Sequence, residues 1–109
     1  MKKVIAVDFD GTLCENMYPK IGEANTELIN QLIEAQKDGA EVILWTCRTG
    51  QRLKEAVAWS KRQGLRFDYV NRNTSERIKA YRSDCRKISA DVYIDDRSAV
   101  FRYGERMKI

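Results

Sequence analysis

The stretch K-V-I-A-V-D-F-D-G, residues Lys3–Gly11, decides how the rest of the chain is read. Lys3–Asp8 is a short apolar run rich in β-branched residues, which suits a strand buried on both faces. It ends on two aspartates, and Gly11 permits a sharp turn straight after them. Residues two apart on an extended chain point the same way. Asp8 and Asp10 are therefore expected on one side and Phe9 on the other.

Outward from this stretch, helical and extended patterns alternate. Leu28, Ile29, Leu32, Ile33 and Ala35 repeat at helical spacing, with Asn25 or Thr26 as the cap and Gly39 as the stop. Glu41–Thr46, EVILWT, reads as a second strand. Leu53, Ala56, Val57 and Ser60 mark a second helix, capped by Thr49 and ended by Gly64. Leu65–Val70 is a weaker third strand, Asn71–Ser75 a turn, and Ile78 with Tyr81 a short helix. Asp91–Asp95, DVYID, is a fourth strand, and Ala99–Tyr103 is expected as a short edge strand. This alternation predicts an α/β fold, a three-layer Rossmann-like parallel sheet with helices on both faces. Its 109 residues fit a single domain.

Such sheets bind ligands outside the carboxyl ends of their strands, at a topological switch point. Three predicted strand ends carry polar groups: Asp8 and Asp10, then Thr46 to Arg48, then Asp95 to Arg97. Carboxylates from separate strands in one crevice repel one another, and a divalent cation relieves that repulsion. Oxygen ligands suit magnesium, which binds through one or two carboxylates, several waters and a substrate phosphate.

Composition narrows the chemistry. The chain has no histidine. That excludes a Ser-His-Asp triad, a Cys-His pair and an HExxH zinc site. The three cysteines, Cys14, Cys47 and Cys85, form no CxxC pair and read as reduced thiols of a cytoplasmic protein. No signal peptide or membrane-spanning run is visible in the sequence. Residues 1–47 hold four Lys/Arg and eight Asp/Glu, and residues 48–109 hold sixteen and eight, so the halves carry −4 and +8. A basic second half suits an anionic partner.

DFDGTL at Asp8–Leu13 resembles the first motif of the haloacid dehalogenase (HAD)-like superfamily. Thr46 after a second apolar strand, a later lysine, and YIDD at Tyr93–Asp96 follow in the order of that superfamily. The resemblance covers most of the chain and implies a Mg2+-dependent phosphomonoester hydrolase. In it Asp8 attacks phosphorus and carries an aspartyl-phosphate. Asp10 protonates the leaving oxygen and then deprotonates water. Thr46 binds a phosphate oxygen. Magnesium is held by Asp8, the Asp10 carbonyl and Asp96, with Asp95 orienting a metal-bound water or sharing the coordination. A lysine balances the charge, and Lys87 resembles the lysine of short members. Eight residues before Asp95, it lies about 20 Å back if the intervening chain is extended. Lys79 and Arg72 are the alternatives.

Arg48 is read either as a bidentate phosphate grip or as a surface ion pair. Trp45 and Trp59 read as packing residues, and Tyr18 with Pro19 is placed to border the site. The connection from Gly11 to Ala24 is too short to hold a cap domain, so an open, capless (C0-type) phosphatase site is expected. Its substrate would be a phosphorylated small molecule or an exposed phosphate on a macromolecule, with no membrane partner. Neighbouring copies in a homo-oligomer would close the site over a small molecule. The rival readings are a phospho-accepting receiver domain and a catalytically idle binding module. A receiver, however, would carry its aspartate at the end of the third strand, where this chain has Val70-Asn71.

Overall fold

In the computed structural model, which describes residues 1–109, the opening run forms strand β1, Val4–Val7, with all four side chains buried. Their alternation splits the core in two. Ile5 and Val7 join Phe9, Leu13, Ile29, Leu32, Val42, Leu44 and Ala56 on one face of the sheet. Val4 and Ala6 pack with Ile43 and Ile88 on the other. Each such buried aliphatic side chain contributes roughly 1.5–3 kcal/mol relative to exposure.

Helix α1 (Thr26–Lys37), strand β2 (Glu41–Leu44), helix α2 (Gly50–Arg62), strand β3 (Tyr69–Val70), helix α3 (Ser75–Tyr81) and strand β4 (Val92–Ile94) follow in order. The four strands are all parallel, in the order β3-β2-β1-β4. The chain thus winds outward from β1 through β2 to β3, then returns to the other side of β1. That reversal puts the switch point between β1 and β4. The result is a Rossmann-like parallel sheet with helices on both faces, as the alternation predicts, and no cap domain, as the short connection from Gly11 to Ala24 predicts. No helix is long and apolar enough to cross a membrane.

Local signals place the helices. The Asn25 side chain accepts the Leu28 N–H, and its amide donates to the Thr12 carbonyl, tying the start of α1 to the turn after β1. Thr49 precedes α2 but makes no capping bond. Thr74 caps α3 by accepting the Arg77 N–H at 3.2 Å.

Two expected elements differ. The third strand shrinks to Tyr69–Val70, because Leu65 is consumed in ending α2, its N–H donating to the Ser60 carbonyl. Ala99–Tyr103 forms no strand, and Val100, Phe101 and Tyr103 are exposed. Strand β4 is only three residues long, and the Arg97 N–H bonded to the Asp95 carboxylate turns the chain at its end.

Side chains extend the ladder where outer strands are short. Asp68 and Asp91 each donate their own N–H to an inner-strand carbonyl, of Val42 and Val4 respectively. Each then accepts the same residue's N–H on its carboxylate, at 2.7 and 2.8 Å. Arg77 also donates to Asp91 at 2.7 Å. The Val4 N–H bond, and then Arg77, hold the Asp91 carboxyl below the usual carboxylate range. A lowered folded pKa gives stability that is present above the unfolded value, near 4, and lost as pH falls through the folded value. Stability is therefore expected to drop below about pH 4. Asp91→Asn should flatten that acid limb and lower the stability at neutral pH, as urea unfolding across the range would read.

Candidate functional site

The carboxyl ends of β1, β2 and β4 open onto one cleft of about 650 Å³, lined by Asp8, Asp10, Thr46, Arg48, Asp95 and Asp96 among others. Asp8 is fixed by its backbone: its N–H donates to the Ile94 carbonyl at 3.0 Å, and the Trp45 N–H takes the Val7 carbonyl beside it. The strand ends of β1 and β4 are thereby locked together, which brings Asp8 against Asp95 and Asp96. One carboxylate oxygen from each of these three lies within 4.8 Å of the others.

Gly11 makes this approach feasible. Its φ is +82°, and a Cβ there would run into the Asp96 carboxylate. The turn it sits in is closed by the Thr12 and Leu13 N–H groups, both donating to the Phe9 carbonyl. Phe9 itself points into the core, edge-on to Trp59 at 5.5 Å.

Burial pushes the Asp8 carboxyl above its usual range. A bond from the Phe9 N–H opposes this, and the charges of Asp95, Asp96 and Asp10 add to it. A cation beside Asp8 would reverse that repulsion. The donor set fits a hard divalent ion: three carboxylates, with no imidazole anywhere in the chain.

Asp10 does not join the three. Its carboxylate is taken in a fork by Arg48, Nε at 2.8 Å and a terminal nitrogen at 2.7 Å. All four aspartates thus share the cleft, but the Asp10 carboxylate is paired, and the pairing revises both readings of Arg48. Arg48 is 2% exposed, so it is neither a surface ion pair nor a free phosphate grip. The Asp10 bond holds its guanidinium even more firmly protonated than usual.

Thr46 stands at the cleft, with its N–H donating to the Asn71 side chain and its hydroxyl oxygen accepting the Arg48 N–H. Tyr18 borders the cleft as expected. Trp45 does so too while packing against the tilted Tyr93 ring at 5.6 Å, whereas Trp59 is packing alone.

Lys87 is exposed and does not line the cleft. Its neighbour Ile88 is drawn into the core on the Val4, Ala6 and Ile43 face of the sheet, and β4, Val92–Ile94, begins only after it. Lys79 and Arg72 do not line it either; Arg72 lies over the Tyr69 ring. Of the other lining residues, Arg97 belongs to the third polar strand end but has no expected role, and Asn16 lies outside the expected site. Arg97 directly follows the acidic pair, a signal that was available. Asn16 gave none. Cys47 is exposed at the cleft, Cys14 is buried, and all three cysteines are unpaired.

Sheet, switch point and acidic cluster together define a capless Rossmann-like protein with an oxygen-lined cleft. A conserved protein from Bacteroides thetaiotaomicron, known by its solved structure, is 39% identical over 90% of this chain and 78% of its own, with a TM-score of 0.79. The chain belongs to the same family as that protein. No family model and no curated protein matches it.

Proposed function

We propose that the chain is a capless HAD-like phosphomonoester hydrolase that uses magnesium and forms an aspartyl-phosphate on Asp8. The observation that carries this reading is the meeting of Asp8, Asp95 and Asp96 at the switch point, beside Thr46 and Asp10. Magnesium would be held by Asp8, Asp96 and the Asp10 carbonyl. It would neutralise charge on the transferring phosphoryl group. Asp95 is the less direct partner, since one of its oxygens already accepts the Arg97 N–H.

An Asp8 oxygen bonds to phosphorus as the ester P–O bond breaks, and Asp10 gives the departing oxygen its proton. Water then attacks the phosphorus of the aspartyl-phosphate, Asp10 takes the water's proton, and Asp8 is released. The Thr46 oxygen already accepts from Arg48, which leaves its O–H to donate to a phosphate oxygen. Arg97, at the cleft, takes over from Lys87 as the balancing cation. The open cleft admits a phosphorylated small molecule or a phosphate exposed on a macromolecule. Three unpaired thiols suit the reducing cytoplasm.

The test is hydrolysis of p-nitrophenyl phosphate with magnesium, with EDTA, and with magnesium restored. Turnover should vanish with EDTA and return with the metal. Absence of turnover with magnesium, across aryl, sugar and nucleoside phosphates, would favour an idle module or a receiver.

A further inference from the structure

Arg48 and Arg77 are the two buried cations among twenty Lys/Arg. Arg77 braces the start of the sheet through Ser89, the Lys2 carbonyl and Asp91. Arg48 braces the cleft. Beyond its fork on Asp10, its terminal nitrogens donate to the carbonyls of Lys20 at 3.0 Å, Arg52 at 3.3 Å and Pro19 at 3.4 Å. All five guanidinium donors are thereby spent. The rings of Phe9 and Tyr18 lie against the group at 4.9 and 5.0 Å.

A substrate grip needs free donors, and Arg48 has none. As a stabilising device a buried ion pair is inefficient, since an apolar pair of similar volume often does as well. What this pair does provide is orientation. The Asp10 carboxylate takes its side-chain hydrogen bonds from Arg48, and a planar fork fixes both oxygens at once. The fork is in turn fixed by the loop bearing Tyr18 and by the first turn of α2.

Resting on the hydrolase reading above, we infer that Arg48 is a positioning residue that aims Asp10 at the leaving oxygen. Its contribution to the first step, in which the leaving group departs, therefore depends on how much that group needs a proton; its contribution to the second, in which Asp10 takes the water's proton, is the same for every ester. A lysine keeps the charge but cannot fork.

Arg48→Lys should lower kcat/KM, which reads the steps up to departure of the leaving group, by about 100-fold or more on an alkyl phosphate such as glycerol phosphate, the scale of general acid catalysis. On p-nitrophenyl phosphate, whose leaving group departs well as an anion, kcat/KM should fall less than about 10-fold. The inhibition constant of inorganic phosphate should change little. Asp10→Asn should show the same split in kcat/KM, and adding Arg48→Lys to it should cost nothing further. Equal losses of kcat/KM on both esters, weaker binding of inorganic phosphate as the main effect, or full additivity with Asp10→Asn would overturn the inference. Thermal melting checks that the variant is folded; if the lysine variant unfolds, Arg48→Gln, which keeps a planar amide, is put through the same comparison. If the unsubstituted protein hydrolyses neither ester with magnesium, the hydrolase reading fails first, and this inference with it.

Discussion

Asp8→Asn should reduce magnesium-dependent phosphate ester hydrolysis by about 10⁴-fold or more, the scale on which loss of a covalent nucleophile is felt. The amide keeps the shape of the carboxylate but is a far weaker nucleophile toward phosphorus. The fold should survive, because the contacts that place Asp8 are made by its backbone. A second effect has the opposite sign. The Asp8 carboxyl is raised by burial and by three neighbouring charges, so its ionised form costs stability at neutral pH without a cation. Removing the charge should therefore raise the melting temperature of the metal-free protein while abolishing turnover. Retained activity would remove Asp8 from the nucleophile's place. A lower melting temperature in EDTA would contradict the repulsion argued for the cluster.

Gly11→Ala should also be damaging, by a smaller factor, though Gly11 touches no substrate. At a φ of +82° an L-residue is strained by about 1–3 kcal/mol. The added methyl also meets the Asp96 carboxylate, which must swing away from Asp8. Misplacement of about 1 Å at a reacting centre can cost 100-fold in rate. Turnover should thus fall at least about 100-fold, and the rise in melting temperature on adding magnesium should shrink or vanish. A variant with the full magnesium response would show that Asp96 does not hold the ion.

The fold was legible in the sequence because its inner strands are buried on both faces. Val4–Val7 and Val42–Leu44 can carry no polar residue, so they stand out, and the aspartates at their ends mark where burial stops. The outer strands were harder. Leu65–Val70 and Asp91–Asp95 were placed correctly but shrink to Tyr69–Val70 and Val92–Ile94, because at Asp68 and Asp91 the side-chain carboxylate takes over part of the ladder. The expected edge strand at Ala99–Tyr103 has strand-like composition, but pairing depends on a partner edge that composition does not specify.

The site was legible as positions, less so as contacts. Strand ends predicted that Asp8, Thr46, Asp95 and Asp96 would share a cleft, and they do. Spacing of two along a strand also predicted that Asp10 would point with Asp8. It does line the cleft with Asp8 while Phe9 turns into the core, but spacing gave no sign that a buried arginine 38 residues on would claim its carboxylate. Lys87 failed as a cleft residue for a related reason. Its position follows from where Ile88 is buried, a tertiary fact that distance along the chain does not contain.

The most direct test is a crystal structure with magnesium and beryllofluoride. The account predicts one metal ion about 2.1 Å from oxygens of Asp8 and Asp96, and the phosphate mimic bonded to the other Asp8 oxygen within reach of Thr46. An ion bound away from these carboxylates, or a mimic that leaves Asp8 free, would contradict it.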